Sequence, residues 1–518
     1  MEIGHAAKPV RQDRISKLDD PILGHVLSFL PSKQAARAAA LSSRWRDAFA
    51  GVHTVSLEEP EGGIPTYHRV LRRGSYDDSS DSDEDERLDP PSRFFAAITA
   101  AIVGRHRSPA ATPPLRALRV ALQDYKYGDS VAVDQWVSYA LKQAGPELEL
   151  DLRFRGLPIY CSRDKGTEIN VDPFSPYAIE VPGGGCAAAA ITALYTTTSG
   201  IFSCSALRTL RIGPCKLSPP STISLPSLEE LLLTRVSDGE EVVQRIISAC
   251  PRLADLTLES CDTVTTLCLF GTLLRRLALR CCHNLSRVTL EVSELGAFEY
   301  RGAVPEMPFL ATLDATCCIP LASCTVDICG GEVSSTDELA RLTKFLHHFE
   351  SAKHLRLRSK RLCPDIGRDN DGDCTAMVGT TRRILRHALN LEVISFVFET
   401  GTWNDIEDDG PLPHGHYNCR DEELLDAHRL RYNRYNVLNA PCGSAVIPCL
   451  VNRVREINLV HYQGGRAQRT LAKFLLCNAP VMDELWCQFA EGPLWMQTEL
   501  VREMKGWVMN QKANTVFR

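Results

Sequence analysis

The sequence predicts an α/β chain: a small three-helix unit followed by a repeat solenoid, with a curved parallel sheet on one side and outer helices on the other. Three observations predict it. Between Leu18 and Phe49, large apolar residues recur at helical spacing in a segment too short to bury them within itself. From Leu207 onward a phrase of the form L-x-x-L-x-L returns, its first positions stepping by 21, 25, 21 and 21 residues. Between these phrases lie amphipathic segments with helix start and stop signals.

In the first unit, Leu18, Ile22, Leu23, Val26, Leu27 and Leu30 form one helical stripe. Asp20 is placed to cap that helix, Pro21 sits in its first turn, where a missing N–H costs nothing, and Pro31 stops it. Ser32 is expected to cap a second helix through Lys33 to Ala40. Ser42 is expected to cap a third, on which Trp45, Ala48 and Phe49 share a face.

Ile15-Ser16 before Leu18, then Ile22-Leu23 and Val26-Leu27-Ser28-Phe29-Leu30-Pro31, then Leu41-Ser42-Ser43-Arg44-Trp45-Arg46, together resemble an F-box. That motif is the helical hairpin by which a protein docks on the Skp-type adaptor of a cullin–RING ubiquitin ligase. The family usually has Leu-Pro-Asp at the helix entry. Here the order is Leu18-Asp19-Asp20-Pro21, which moves the proline into the first turn. The resemblance implies an F-box over residues 10–52 and an adaptor-binding set of Leu18, Pro21, Ile22, Leu23, Val26, Leu27, Leu30, Pro31, Leu41, Ser42, Trp45 and Arg46. Pro31 and Trp45 are the expected strongest contacts, because rigid and aromatic anchors dominate such interfaces. Spacing alone favours a hairpin packed on its own protein; the Leu-Ser-x-Arg-Trp-Arg ending turns the balance toward docking.

The repeat phrases are Leu207-Leu210-Ile212, Leu228-Leu231-Leu233, Leu253-Leu256-Leu258, Leu274-Leu277-Leu279 and Leu295-Phe298-Tyr300. Weaker copies stand at Leu115-Leu118-Val120, Leu148-Leu150-Leu152, Leu355-Leu357, Leu391-Ile394-Phe396, Val454-Ile457-Leu459 and Met482-Leu485-Cys487. This period and pattern resemble leucine-rich repeats, in which each unit gives one short strand to a parallel sheet. Asp238 is placed to cap a helix with Val242, Val243, Ile246 and Ile247 inward, ended by Cys250-Pro251. Leu342-Thr343-Lys344-Phe345-Leu346 and Leu471-Ala472-Lys473-Phe474-Leu475 read as one helix used twice, each before a strand phrase.

Val454 to Gly464, followed by Leu471 to Pro480, is similar to the FBD segment of plant F-box proteins: a strand, a glycine turn and a helix ending at Asn478-Ala479. F-box, divergent repeats and FBD in that order resemble the plant F-box/FBD/LRR family. The implied organisation is F-box 10–52, a first strand and connection 53–73 around His53 to Leu57, an insertion 74–92, divergent leucine-rich repeats 93–375, and C-terminal repeats with the FBD-like segment 376–518. The insertion GSYDDSSDSDEDERLDPPS is acidic, serine-rich and poor in apolar residues, the composition of a disordered loop. Ser75, Ser80 and Ser82 each have an acid three residues on, a casein-kinase-type pattern too common to outweigh a plain solvated loop.

The charge balance, 58 Lys and Arg against 64 Asp and Glu for a net of −6, makes no case for nucleic acid or membrane binding. The start MEIGHAAKPVRQDR lacks a signal core, and no apolar run is long enough to span a bilayer, which points to cytoplasm or nucleus. The 20 cysteines, among them Cys268, Cys281 and Cys487, are then reduced and act as small core fillers.

No catalytic signature stands out. Gly183-Gly184-Gly185-Cys186 lacks the lysine and spacing of a phosphate loop. His414, His416 and Cys419 lack a fourth metal ligand, and His347-His348 lies beside the apolar face of a helix. The expected role is a non-catalytic, cofactor-free substrate receptor that docks the Skp-type adaptor, and through it cullin, while an unknown protein target sits on the repeats. Outward strand residues such as Arg208, Thr209, Arg211, Glu229, Glu230, Asp255, Thr257, Glu259, Arg275, Arg276 and Arg280 would face that target. The rival is a repeat scaffold or inhibitor that binds a protein without ubiquitination, its hairpin serving as a solenoid cap. A small-molecule co-receptor would need a basic pocket for which Arg275, Arg276 and Arg280 are too few.

Overall fold

The computed structural model describes residues 18–58, 93–105, 113–122, 125, 129–154, 194–270, 273–291, 295–312, 321–329, 336–359, 372–398, 435, 438, 440, 447–490 and 492–518. Residues 10–17, the acidic insertion 74–92, the glycine run at 183–186 and the 414–419 histidine–cysteine segment lie outside them. The described residues fall in two units, Met1–Leu157 with Ala193–Leu228, and Pro158–Thr192 with Glu229–Arg518.

The first unit opens with three short helices, α1 (Asp20–Leu27), α2 (Ser32–Ala39) and α3 (Ser43–Ala50). They lead into strand β1 (Thr54–Glu58), helix α4 (Arg93–Arg105), β2 (Leu115–Leu122), α5 (Ser130–Lys142) and β3 (Ala144–Phe154). A two-residue strand β4 (Tyr195–Thr196) and a 3₁₀ turn at Ser199–Ser203 precede β5 (Leu207–Gly213) and β6 (Cys215–Lys216). The main sheet runs β1-β2-β3-β5, all parallel. Its register stacks the phrase positions: Val55, Leu118, Leu150 and Leu210 form one inward row, and Leu57, Val120, Leu152 and Ile212 the next.

In the second unit, β7 (Glu230–Thr234), α6 (Glu240–Ser248), β8 (Asp255–Glu259), β9 (Thr266–Leu269), β10 (Arg276–Arg280), β11 (Arg287–Leu290), β12 (Ala297–Gly302), β13 (Leu310–Thr312) and β14 (Ser323–Ile328) come first. Then follow α7 (Thr336–His347), β15 (His354–Ser359), α8 (Gly372–His387), β16 (Val393–Val397), α9 (Pro448–Asn452), β17 (Glu456–Tyr462), α10 (Arg466–Leu476), β18 (Glu484–Phe489), α11 (Leu494–Trp507) and β19 (Asn514–Phe517). The parallel order β7-β8-β10-β12-β14-β15-β16-β17-β18-β19 puts Leu231, Leu256, Leu277, Phe298, Cys324, Leu355, Ile394, Ile457 and Leu485 in one continuous inward row. This is the solenoid-like α/β arrangement that the repeat phrases predict: each strand covers its apolar face with its neighbours and the outer layer, as Phe298 does against Phe345 and Phe349.

Several elements differ from the expectation. Asp19, not Asp20, stands at the α1 cap, without a side-chain cap bond, and the helix ends at Leu27 rather than at Pro31. Pro31 occupies the α2 cap position and Ser32 is that helix's first residue. Gly239, not Asp238, precedes α6, whose inward residues are Val243, Ile246 and Ile247. Strands β14 and β19 escape the leucine phrase because Ser-Cys-Thr-Val-Asp-Ile and Asn-Thr-Val-Phe carry no leucine. Between β8 and β14 the outer layer is a second parallel sheet, β13-β11-β9, instead of helices. The segments there are short, and Thr-Leu-Cys-Leu and Arg-Val-Thr-Leu alternate with period two, which suits strands.

Cys324 and Cys487 fill leucine positions as fully buried thiols, and burial pushes both thiols up from their ordinary pKa. Cys281 is buried and Cys268 half-buried. Among the described residues no helix is long and apolar enough to cross a membrane. Replacing a residue of the inward row removes contacts on both neighbouring strands. Leu256→Ala is expected to cost about 2–5 kcal/mol, read as a lower urea midpoint for the second unit.

Candidate adaptor-docking site

The helical stripe of the sequence resolves into two faces. Leu23 and Leu27, four residues apart, are both 1% exposed and point into the first unit with Ala35, Ala39, Ala48 and Phe49. Ile22 and Val26, on the adjoining face of α1, stand in solvent, as do Phe29 (74% exposed) and Leu30 in the turn that follows. Leu41, in the turn before α3, is 79% exposed. A stripe this wide wraps more than one side of a helix, so spacing alone assigned all of it to one surface.

Of the other expected contacts, Pro21, Pro31, Ser42 and Arg46 are exposed, and Leu18 and Trp45 half-buried. Ser42 is the α3 cap: its hydroxyl accepts the Trp45 N–H at 3.3 Å. Arg44 ties the start of α1 to α3, donating to the Leu18 carbonyl and pairing with Asp20 at 3.2 Å. Gly24 and Gly51 let α1 and the end of α3 touch through their backbones; a Cβ at Gly24 would sit 2.8 Å from the Gly51 carbonyl.

The buried side of the hairpin is bonded to the repeats of the first unit. The Ser32 hydroxyl accepts the N–H of Ser56 in β1 at 2.8 Å, and the Ser28 hydroxyl accepts the His53 N–H at 3.1 Å. Arg105, at the end of α4 and wholly buried, donates to the carbonyls of Val52 and Pro113 and to the Tyr139 hydroxyl, at 2.6, 2.7 and 2.6 Å. Phe29, absent from the expected set, leans edge-on against His25 with ring centroids 4.9 Å apart. Its signal was the apolar residue three places after Val26, hidden by the expectation that α1 ran on to Pro31.

Residues 15–54 match the F-box domain model, and residues 190–295 match the model described as FBD-associated F-box protein At5g56370, LRR repeats. The three-helix segment is an F-box. Relatives agree with that assignment. The chain is 24% identical to the putative F-box/LRR-repeat protein At5g41840 of Arabidopsis thaliana, over 48% of this chain and 37% of that protein. It is 23% identical to the putative F-box/FBD/LRR-repeat protein At2g05300 of the same plant, over 49% of this chain and 42% of the relative. A shorter stretch, 10% of this chain and 11% of the relative, is 46% identical to the FBD-associated F-box protein At5g18780 of Arabidopsis thaliana. The chain thus spans less than half the length of these relatives.

One seam of the F-box is sensitive to protons. His25 Nδ1 and His53 Nε2 lie 3.0 Å apart, so one ring donates to the other and at least one is neutral. Burial, then the charges of Arg116, His25 and Arg105, hold His53 below its ordinary 6.5. The folded chain therefore takes up this proton less readily than the unfolded chain. The stability involved is complete above about pH 6.5 and is lost as pH falls below it. The thermal midpoint is expected to drop further between about pH 7 and about pH 5 in the parent chain than in His53→Gln.

Proposed function

We propose that this chain is the substrate-recognition subunit of a Skp–cullin–F-box ubiquitin ligase, acting in the cytoplasm or nucleus. It would hold a protein target on its repeat strands and place it near a ubiquitin-loaded conjugating enzyme. Its contribution to rate would be proximity, with no chemistry, metal or cofactor of its own.

One observation carries the reading: Ile22, Val26, Phe29, Leu30 and Leu41 are all exposed on a small helical unit whose Leu23 and Leu27 side is already occupied. So many large apolar side chains left exposed on one small unit mark an interaction site, and an apolar interface suits a permanent adaptor. Pro21, Pro31, Ser42 and Arg46 would rim it, with Trp45 partly engaged. Leu23 and Leu27 would support it from beneath. A scaffold whose hairpin only capped the repeats would need the buried side alone, and would leave these exposed residues unexplained.

The segment from β17 through α10 fits the FBD-like reading of 454–480. Gly464 turns at a φ of +76°, and Asn478 closes the helix by donating to the Phe474 carbonyl at 2.6 Å.

The test is co-expression of the full chain with a Skp-type adaptor. The parent chain is expected to co-purify with it. Ile22→Glu combined with Leu41→Glu is expected to abolish capture while leaving the unfolding midpoint unchanged, because both side chains are solvent-exposed. Leu23→Ala is expected to lower stability by about 2–5 kcal/mol yet keep capture in the cold, where the variant remains folded. A parent chain that never captures the adaptor overturns the reading.

A further inference from the structure

The solvent side of the second unit's sheet has its own charge order, set by the same register that stacks the leucines. On β7 and β8 the outward charges are acidic, Glu230, Asp255 and Glu259, interleaved with Leu232 and Thr257. Across the next four strands they turn basic. Arg280, Arg301, Asp327 and Arg358 stand side by side in one row, Ala278, Glu299, Thr325 and Arg356 in the next, and Arg276, Ala297, Ser323 and His354 in the third.

Five arginines share Glu299 and Asp327 over four strands about 4.8 Å apart, and Asp255 and Glu259 of β8 stand opposite Arg276 and Arg280, so the positive charge gathers toward β15, at Arg356 and Arg358. Each acid is used twice. Glu299 pairs with Arg280 at 2.7 Å and Arg276 at 3.2 Å, and Asp327 with Arg301 at 3.5 Å and Arg358 at 3.7 Å. Burial works against the Glu299 charge, yet the two guanidiniums hold its carboxyl below the ordinary range. Arg356 is exposed and makes no ion pair among the described residues. The small residues Ala278, Ala297, Ser323 and Thr325 keep the floor between the guanidiniums low.

We infer that the β10–β15 face binds an acidic polypeptide segment, whose carboxylates pair with Arg356 and Arg358 on its β15 side. The shared acids fix the guanidiniums in place before binding, so less side-chain freedom is lost when the ligand arrives. A nucleic acid fits this face less well. Acids interrupt the basic rows and flank them on β8, and a single ring, His354, stands among these outward positions for a base to stack on. The inference deepens the receptor reading by naming the class of target segment. It takes from that reading only what happens to the target afterwards.

The test is fluorescence anisotropy on the full chain, with a labelled Ser-Glu repeat peptide, its Ser-Gln counterpart and an oligouridylate of equal length. The Ser-Glu probe is expected to bind, with affinity falling as salt rises, and the Ser-Gln probe is not. Arg356→Glu, exposed and unpaired, is expected to fold normally and weaken Ser-Glu binding about tenfold or more. Arg502→Glu, an equal charge reversal on the exposed face of α11, is expected to leave it unchanged. Equal binding of the two peptides, tighter binding of the oligouridylate, or equal losses in the two variants would each overturn the inference. Adaptor capture is scored separately, so a chain that binds the acidic peptide but not the adaptor sinks the receptor reading alone.

Discussion

Each strand of a parallel sheet shares its backbone N–H and C=O groups with a neighbour on either side, and the first strand has a neighbour on one side only. In the first unit that strand is β1, and the F-box closes it. Ser28 and Ser32 take backbone N–H groups at and just before β1, while buried Arg105 gathers the carbonyls of Val52 and Pro113. A buried guanidinium is costly unless its donors are used, so Arg105 makes these loop carbonyls hard to rearrange. The F-box helices are therefore built into the edge of the repeat sheet rather than hung from it by a linker. The distance from the exposed apolar residues of α1 to the first strands is thereby set by hydrogen bonds.

The same need recurs at β9, the edge of the small outer sheet in the second unit. There the Gln244 amide of α6 acts as a stand-in strand, donating to the Cys268 carbonyl at 2.7 Å and accepting the Cys268 N–H at 3.0 Å. Glu240 of the same helix accepts the N–H of Thr266 at 2.9 Å. A helix thus ends where an outer sheet begins, and polar side chains cover the change of layer.

What was legible in the sequence follows from which positions obey a strict periodic rule. The inward rows were legible because a strand can neighbour another only if its apolar residues share a register. Leu256, Leu277 and Phe298 announce themselves by spacing alone. The helix caps were less so: Asp19 and Asp20, or Asp238 and Gly239, are adjacent candidates, and tertiary packing chooses between them. The edge-closing groups Ser28, Ser32, Arg105 and Gln244 were silent, because a single polar residue has no period and its partner lies tens of residues away. In the F-box, sequence found the apolar set but could not divide it. Ile22 and Leu23 are consecutive and equally apolar, yet one is exposed and the other buried.

That division gives the chain one logic at both levels. In the F-box, Leu23 and Leu27 hold the helices so that Ile22 and Val26 stay free to touch something else. In each repeat strand, the inward residue is held by register while its outward neighbour meets solvent and the outward side chains beside it. Leu277 and Leu279 have no latitude, being enclosed by leucines on β8 and aromatic rings on β12. Arg276 and Arg280, interleaved with them, could be exchanged for other polar residues at little cost to the fold. Stability and surface charge are therefore written on alternate residues of the same strands. Charge can consequently be ordered across the solvent face, acidic on β7 and β8 and basic from β10 to β15, without disturbing the rows beneath.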